Sequence, residues 1–286
     1  MRLISYHHNG EVGIGIMADD QSFISLAKAQ PNLPRTLRGL LELGPDGLKA
    51  AKQAIAGKIS DLLINEVVLE PIIPEPPAIW CVGLNYVSHR EETESPVTAQ
   101  PTLFLRIAAS QTGHLQPMIC PKVSDNFDFE GELAVIIGIG GRHISESDAL
   151  RHIAGYACYN DGTIRDWQRH TSQFSPGKNF VSTGGFGPWL VTADEFGDPY
   201  SQTMTTRLNG EVMQNAVIDL MLFRIEKLIA YISTMYPLNP GDVISTGTTG
   251  GVGFRRNPPI FLKAGDTVSV EISGIGTLIN PIIDEA

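Results

Sequence analysis

Apolar and polar positions alternate over Leu3 to Tyr6, Val12 to Met17 and Ser22 to Ser25. Successive side chains of a strand point to opposite faces, so this period of two predicts three short strands. Apolar residues then recur at helical spacing over Thr36 to Glu42 and Leu48 to Ala56. Past residue 77 strand-like segments dominate: Ile79 to Gly83, Thr102 to Arg106, Gly131 to Ile139, Gly187 to Thr192, Thr205 to Asn209, Val243 to Thr246 and Thr267 to Ile272. Helical patterns interrupt them near Ser147 to Ala154 and near Leu220 to Ser233. The strict strand-helix alternation of a doubly wound sheet is missing, and the pattern predicts a β-rich, mixed α/β fold.

The segment Glu70-Pro-Ile-Ile-Pro-Glu-Pro-Pro77 carries four prolines in eight residues. Proline removes a backbone donor and favours extended chain, so residues 71–77 are expected to connect a small N-terminal α+β domain, residues 1–70, to a larger domain, residues 78–286. Asn209-Gly210 between alternating runs predicts a hairpin, and Asn239-Pro-Gly-Asp242 a turn feeding a strand.

Composition narrows the function classes. The 286 residues are 42% hydrophobic and 18% charged, which suits a folded protein. A formal net charge of −10 leaves no basic footprint for nucleic acid, and it also means that an anionic substrate needs a local cation to hold it. Cys81, Cys120 and Cys158 are odd in number and widely spaced, the pattern of thiols in a reducing compartment rather than of disulfides or a CxxC metal site. Residues Met1 to Gly15 alternate instead of forming a signal peptide, and the apolar run Leu133 to Ile139 is too short to span a bilayer. A soluble cytoplasmic protein is expected.

Asp128-Phe-Glu-Gly-Glu132 is the most informative segment. If it is one strand, Asp128, Glu130 and Glu132 share a face, and clustered carboxylates raise one another's pKa unless a cation neutralises them. Two readings fit the spacing: a solvent-facing acidic strand, or ligands for a metal. Asp161, in the polar stretch Tyr159-Asn-Asp161-Gly-Thr-Ile-Arg165-Asp-Trp-Gln168, offers a further carboxylate. Were Glu130, Glu132 and Asp161 to converge, three oxygen ligands without His or Cys would suit Mg²⁺, Mn²⁺ or Ca²⁺ and leave positions open for a chelating 2-oxo acid.

His89 and Glu92 lie three apart after a short strand. On one helical face they form either an ordinary surface pair or a dyad in which the carboxylate orients the imidazole as a base. The polar stretch Arg90 to Gln100 has little to bury and reads as a mobile lid. Arg165, Gln168 and Lys178 bring two cations and an amide near Asp161, suited either to salt bridging or to stabilising an enolate. The glycine-rich run Thr246-Gly-Thr248-Thr-Gly-Gly-Val-Gly253 can present a hydroxyl and N–H groups to a carboxylate, and it lacks the lysine of a nucleotide P-loop.

In order along the chain, GLNYxxH (83–89), DFEGELAVIIG (128–138), YNDGTIRDWQ (159–168), GK (177–178), GPW (187–189) and PGDVISTGTTGGVG (240–253) resemble the fumarylacetoacetate hydrolase family over residues 78–283. The resemblance implies a mixed β-sandwich roll, usually a homodimer. It implies Glu130, Glu132 and Asp161 as ligands of Mg²⁺ or a similar ion, His89 with Glu92 as a water-activating dyad, and Lys178 facing substrate. Arg165, Gln168 and Thr248 match substrate-binding positions, and Arg106 stands where lysine is frequent, as a candidate for a distal carboxylate. Gly162-Thr-Ile164 departs from the Ser-Ala common there. The leading expectation is hydrolysis of a C–C bond in an acylpyruvate-like 2,4-dioxo acid. The alternative is decarboxylation or keto-enol isomerisation of a 2-oxo diacid such as oxaloacetate or an aromatic-catabolism intermediate, and a third reading is a noncatalytic metal-stabilised binding protein.

Overall fold

A computed structural model describes residues 1–286. Twelve strands form one large mixed sheet, whose central members are Gly184–Thr192, Ile153–Asn160, Gly131–Ile137 and Val243–Thr248, in that order. All these neighbours are antiparallel, and Val243–Thr248 pairs in parallel with Ile79–Gly83, which leads to the edge strand Thr102–Arg106. A second sheet of five strands runs in the order Glu211–Val217, Thr203–Leu208, Thr267–Ile272, Gly276–Asp284 and Met118–Cys120.

The central strands are buried on both faces, which is why Gly131–Ile137 reads as a nearly continuous apolar run. Leu133, Val135 and Ile137 face a core shared with the second sheet and with the helix Ile225–Met235. Ala134 and Ile136 face the opposite core, which packs against the helices Leu37–Glu42 and Pro45–Ala54 through Leu37, Leu40, Leu41 and Ala51. Both layers close over one sheet. The strand Arg2–His8 joins that sheet directly, with Arg2 opposite Val191 and Leu3 opposite Leu190, so the residues before the proline-rich stretch continue the sheet across its N-terminal edge.

Two predicted helices change. Over Ser147 to Ala154 there is only a 3₁₀ turn at Ala149–His152, after which Ile153–Asn160 is a strand. Its pairing with Gly131–Ile137 and Gly184–Thr192, and its burial on both faces, outweigh local propensity. The helix expected from Leu220 begins at Ile225, because Ile218–Leu220 forms a separate 3₁₀ turn. The Asn209-Gly210 hairpin is present between Thr203–Leu208 and Glu211–Val217, with both turn residues at positive φ.

Candidate active site

The candidate site forms where two central strands end side by side. Gly131 lies opposite Asn160, so Glu130 and Asp161 leave the sheet next to each other. Asp161 N–H donates to the Glu130 carbonyl at 2.8 Å, and Glu130 N–H donates to Asn160 Oδ1 at 3.0 Å. One carboxylate oxygen from each of Glu130, Glu132 and Asp161 then falls within 4.8 Å of the others, and all three residues are buried. Gly131 is required at this junction, because a Cβ there would stand 2.0 Å from Thr206 Oγ1.

Asp128 does not share their face. The strand breaks at Phe129 and Glu130, and Asp128 instead accepts from Arg165 Nε at 2.8 Å and from the N–H groups of Gly253 and Phe254 at 2.8 and 3.1 Å. Its role is to hold Arg165.

Three buried cations surround the acids. Lys178 Nζ bridges Glu130 Oε2 at 2.7 Å and Asp161 Oδ2 at 2.5 Å. Arg165 Nη1 reaches Glu130 Oε1 at 2.7 Å and Gln168 Oε1 at 3.1 Å. Burial opposes the ionised form of Glu130, but Lys178 and then Arg165 outweigh it and hold the carboxyl down to about 2. Burial likewise disfavours the Lys178 ammonium, yet Asp161 and Glu130 keep it charged and raise its pKa.

Arg106 differs from expectation. Its side chain has no exposed surface and does not reach the cavity. Nη1 donates to Asp161 Oδ1 at 2.6 Å and to the Gly162 carbonyl at 2.9 Å, so it supports a carboxylate of the protein instead of binding one on a substrate.

His89 and Glu92 lie on the helix Val87–Glu92, with Nδ1 2.8 Å from Glu92 Oε1. A carboxylate at Nδ1 selects the tautomer with its proton there, which leaves Nε2 as a free base; His89 lines the cavity. The stretch expected to form a lid is tied down by Arg90, whose guanidinium donates to Leu84 O, Pro96 O and Thr98 Oγ1. Thr93 and Ser95 from this stretch line the cavity.

The glycine-rich segment serves the acids of the protein. Gly247 N–H donates to Glu132 Oε2 and Gly251 N–H to Glu92 Oε2, each at 2.8 Å. Gly247 and Gly251 adopt φ of +104° and +101°, where a side chain would be strained. Thr248 lines the cavity, but its hydroxyl proton is committed to Gly131 O at 2.8 Å and its oxygen accepts from Gln214 Nε2 at 2.8 Å. It therefore offers a ligand only a lone pair, not the donor expected from the sequence. The cavity above this cluster has a volume of about 500 Å³, and its walls include Phe104, Phe174, Arg169, Phe254 and Arg255, none of which stood out in the sequence. Phe104 sits on the edge strand Thr102–Arg106, and the others occupy loop and helix-end positions that carry no periodic signal.

Residues 78–283 match the family described as fumarylacetoacetate (FAA) hydrolase C-terminal. The chain belongs to this family. It is 39% identical to human "Oxaloacetate tautomerase FAHD2A, mitochondrial" over 99% of this chain and 92% of the relative. The Xenopus laevis "Oxaloacetate tautomerase fahd2, mitochondrial" is also 39% identical, over 99% of this chain and 90% of its own. Among solved structures, fumarylacetoacetate hydrolase from Exiguobacterium antarcticum superposes with a TM-score of 0.85 at 31% identity, each chain covered in full. Maleylpyruvate hydrolase from Sphingobium sp. SYK-6, solved with manganese(II) and pyruvate, gives 0.83 at 26% identity with full coverage of both. The chain is thus an enzyme of the fumarylacetoacetate hydrolase family with its mixed, strand-rich fold. The two tautomerases carry a mitochondrial location in their names, whereas the sequence pattern led us to expect a cytoplasmic one. No helix is long and apolar enough to cross a membrane.

The acidic triad of this family member fits a divalent cation on its own chemistry. Asp128, Glu130, Glu132 and Asp161 face Arg106, Arg165 and Lys178, one cation short of neutrality. Glu132 is the acid without a cationic partner: Oε2 accepts from Ser245 Oγ at 2.6 Å and from Gly247 N–H, and Oε1 makes no hydrogen bond. Burial, reinforced by Asp161 and Glu130, pushes its carboxyl well above the usual range. A cation bound between the three carboxylates relieves that cost, and an all-oxygen donor set suits hard ions.

Proposed function

We propose that this enzyme is a divalent-metal-dependent tautomerase, with Mg²⁺ or Mn²⁺ as the ion, that interconverts the keto and enol forms of a small 2-oxo acid such as oxaloacetate. The observation that carries this reading is the buried triad Glu130, Glu132 and Asp161 in one cavity with a free imidazole nitrogen and a charged lysine. The tautomerase relatives, matched almost end to end, favour this reaction over the hydrolysis expected first from the sequence.

A divalent ion held by Glu130, Glu132 and Asp161 would supply Lewis acidity toward the 2-oxo acid. His89 Nε2 takes a proton from C3, and Glu92, itself fixed by Gly251 N–H, stabilises the imidazolium. The C3–H electron pair moves into the C2–C3 bond, and the charge that develops on the C2 oxygen faces Lys178 and Arg165. Returning the proton to that oxygen completes the enol, and the reverse sequence regenerates the ketone. No water is consumed and no carbon–carbon bond breaks.

A second reading, C–C hydrolysis of an acylpyruvate, draws on the same His89–Glu92 pair, which is also a geometry for activating water. Following oxaloacetate enol decay by ultraviolet absorbance, and acylpyruvate cleavage by product analysis, with Mn²⁺ and with EDTA, separates the two. We expect metal-dependent tautomerisation that His89→Ala removes. Cleavage of acylpyruvate without acceleration of oxaloacetate tautomerisation would replace this reading with the hydrolytic one.

A further inference from the structure

The cavity holds two arginines that the chemistry above leaves unused. Arg169 and Arg255 both line it and both lie against Phe254, their guanidinium carbons 4.6 and 5.2 Å from the ring centroid. Arg165 approaches the same ring at 4.2 Å, so three guanidinium groups surround one phenyl ring. Arg165 is already engaged by Asp128, Glu130 and Gln168. Arg169 and Arg255 pair with no carboxylate, and neither side chain makes a hydrogen bond within the protein. The chain carries 31 acidic and 21 basic residues, so acids to pair with are in excess. Burial and the like charges of Arg165 and Arg255 both disfavour the charged form of Arg169, so the grouping is held at a cost that a bound anion would offset.

We propose that Arg169 and Arg255 seat the second carboxylate of a 2-oxo dicarboxylic acid whose 2-oxo acid end lies at Glu130, Glu132 and Asp161. This inference rests on the metal-chelation part of the proposed function and adds to it the substrate class and the residues that select it. The guanidinium plane matches a carboxylate with two parallel N–H donors, and stacking on Phe254 restricts both side chains before the ligand arrives. The acidic remainder of the surface repels dianions, so a local pair of unneutralised cations decides between a diacid and a monoacid. Arg106, the residue expected to hold a distal carboxylate, is sequestered on Asp161, which leaves this task to Arg169 and Arg255.

Two non-enolisable probes test the seat on the Mn²⁺-loaded protein by calorimetry. Oxamate carries only the chelating end; N-oxalylglycine carries the same end and a distal carboxylate. We expect N-oxalylglycine to bind wild type at least tenfold more tightly than oxamate. Each of Arg169→Gln and Arg255→Gln should reduce that advantage, roughly tenfold for each charge-assisted pairing removed, and leave oxamate affinity unchanged. An advantage that survives the double substitution, or a parallel loss for oxamate, overturns the assignment. Failure of both probes to bind the loaded wild type sinks the chelation reading and this inference together. The expected ratios in a protein that fails to tautomerise oxaloacetate would refute the reaction and keep the seat.

Discussion

Replacing Arg106 by lysine preserves the buried charge and removes the fork. The guanidinium donates to Asp161 Oδ1, to the Gly162 carbonyl, to Thr183 Oγ1 at 3.0 Å and to Ser110 Oγ at 3.2 Å. It is the only donor to Gly162 O. A single ammonium can hold Asp161 but cannot span the rest, so Gly162 O is left buried and unpaired and the two hydroxyls each lose a donor. At about 1–3 kcal/mol for a stranded buried acceptor, and less for hydroxyls with other partners, Arg106→Lys should cost about 2–3 kcal/mol. That corresponds to a fall in Tm of roughly 4–12 °C for a chain of this size. The turn at Gly162, which follows Asp161, also loses its hold, and disturbing a group that orients a metal ligand weakens affinity roughly 10- to 100-fold. Differential scanning calorimetry and Mn²⁺ titration read the two effects separately. Stability within about 0.5 kcal/mol of wild type, the range of an ordinary surface change, together with unaltered Mn²⁺ affinity would refute the reasoning.

Other outcomes follow from the same geometry. Glu130→Ala or Asp161→Ala should abolish Mn²⁺ binding in calorimetry, whereas His89→Ala should retain it, and saturating Mn²⁺ at about a hundred times Kd should stabilise wild type by about 2.7 kcal/mol over the EDTA-treated protein. Gly162→Ala would place a Cβ 2.0 Å from the Thr183 carbonyl; we expect destabilisation of about 1–3 kcal/mol in urea unfolding and weakened metal binding, because the turn that carries Asp161 must shift. His114 is buried, its Nδ1 accepts from Ile279 N–H at 3.0 Å, and burial lowers its pKa to about 4. The unfolded chain therefore takes up this proton first: stability is full above about pH 6.5 and falls toward pH 4, by about 3 kcal/mol in total for this group. His114→Gln, which keeps an acceptor, should flatten that part of the pH profile in urea titrations; an unchanged slope would count against it.

Much of the site was visible in the linear chain. The three candidate ligands, the His89–Glu92 pair, Lys178 and Arg165 each have a side chain whose chemistry is scarce inside a protein, and the motifs bearing them come in a recognisable order. The strand that follows Glu130 was legible as well, since a strand buried on both faces must be apolar throughout, as Leu133 to Ile137 are. What the chain left open depended on partners far away in sequence. Residues 153–160 form a strand because two neighbouring strands satisfy their backbone groups. Asp128 leaves the face of Glu130 and Glu132 because Arg165 and the turn at Gly253 take its oxygens, and Arg106 faces Asp161 rather than a substrate. Thr248 loses its donor to Gly131 for the same kind of reason. Residue type and order along the chain determine which groups can do chemistry. Which groups remain unpaired, and so able to act on a ligand, is settled only when the folded backbone and its buried charges have claimed their own partners.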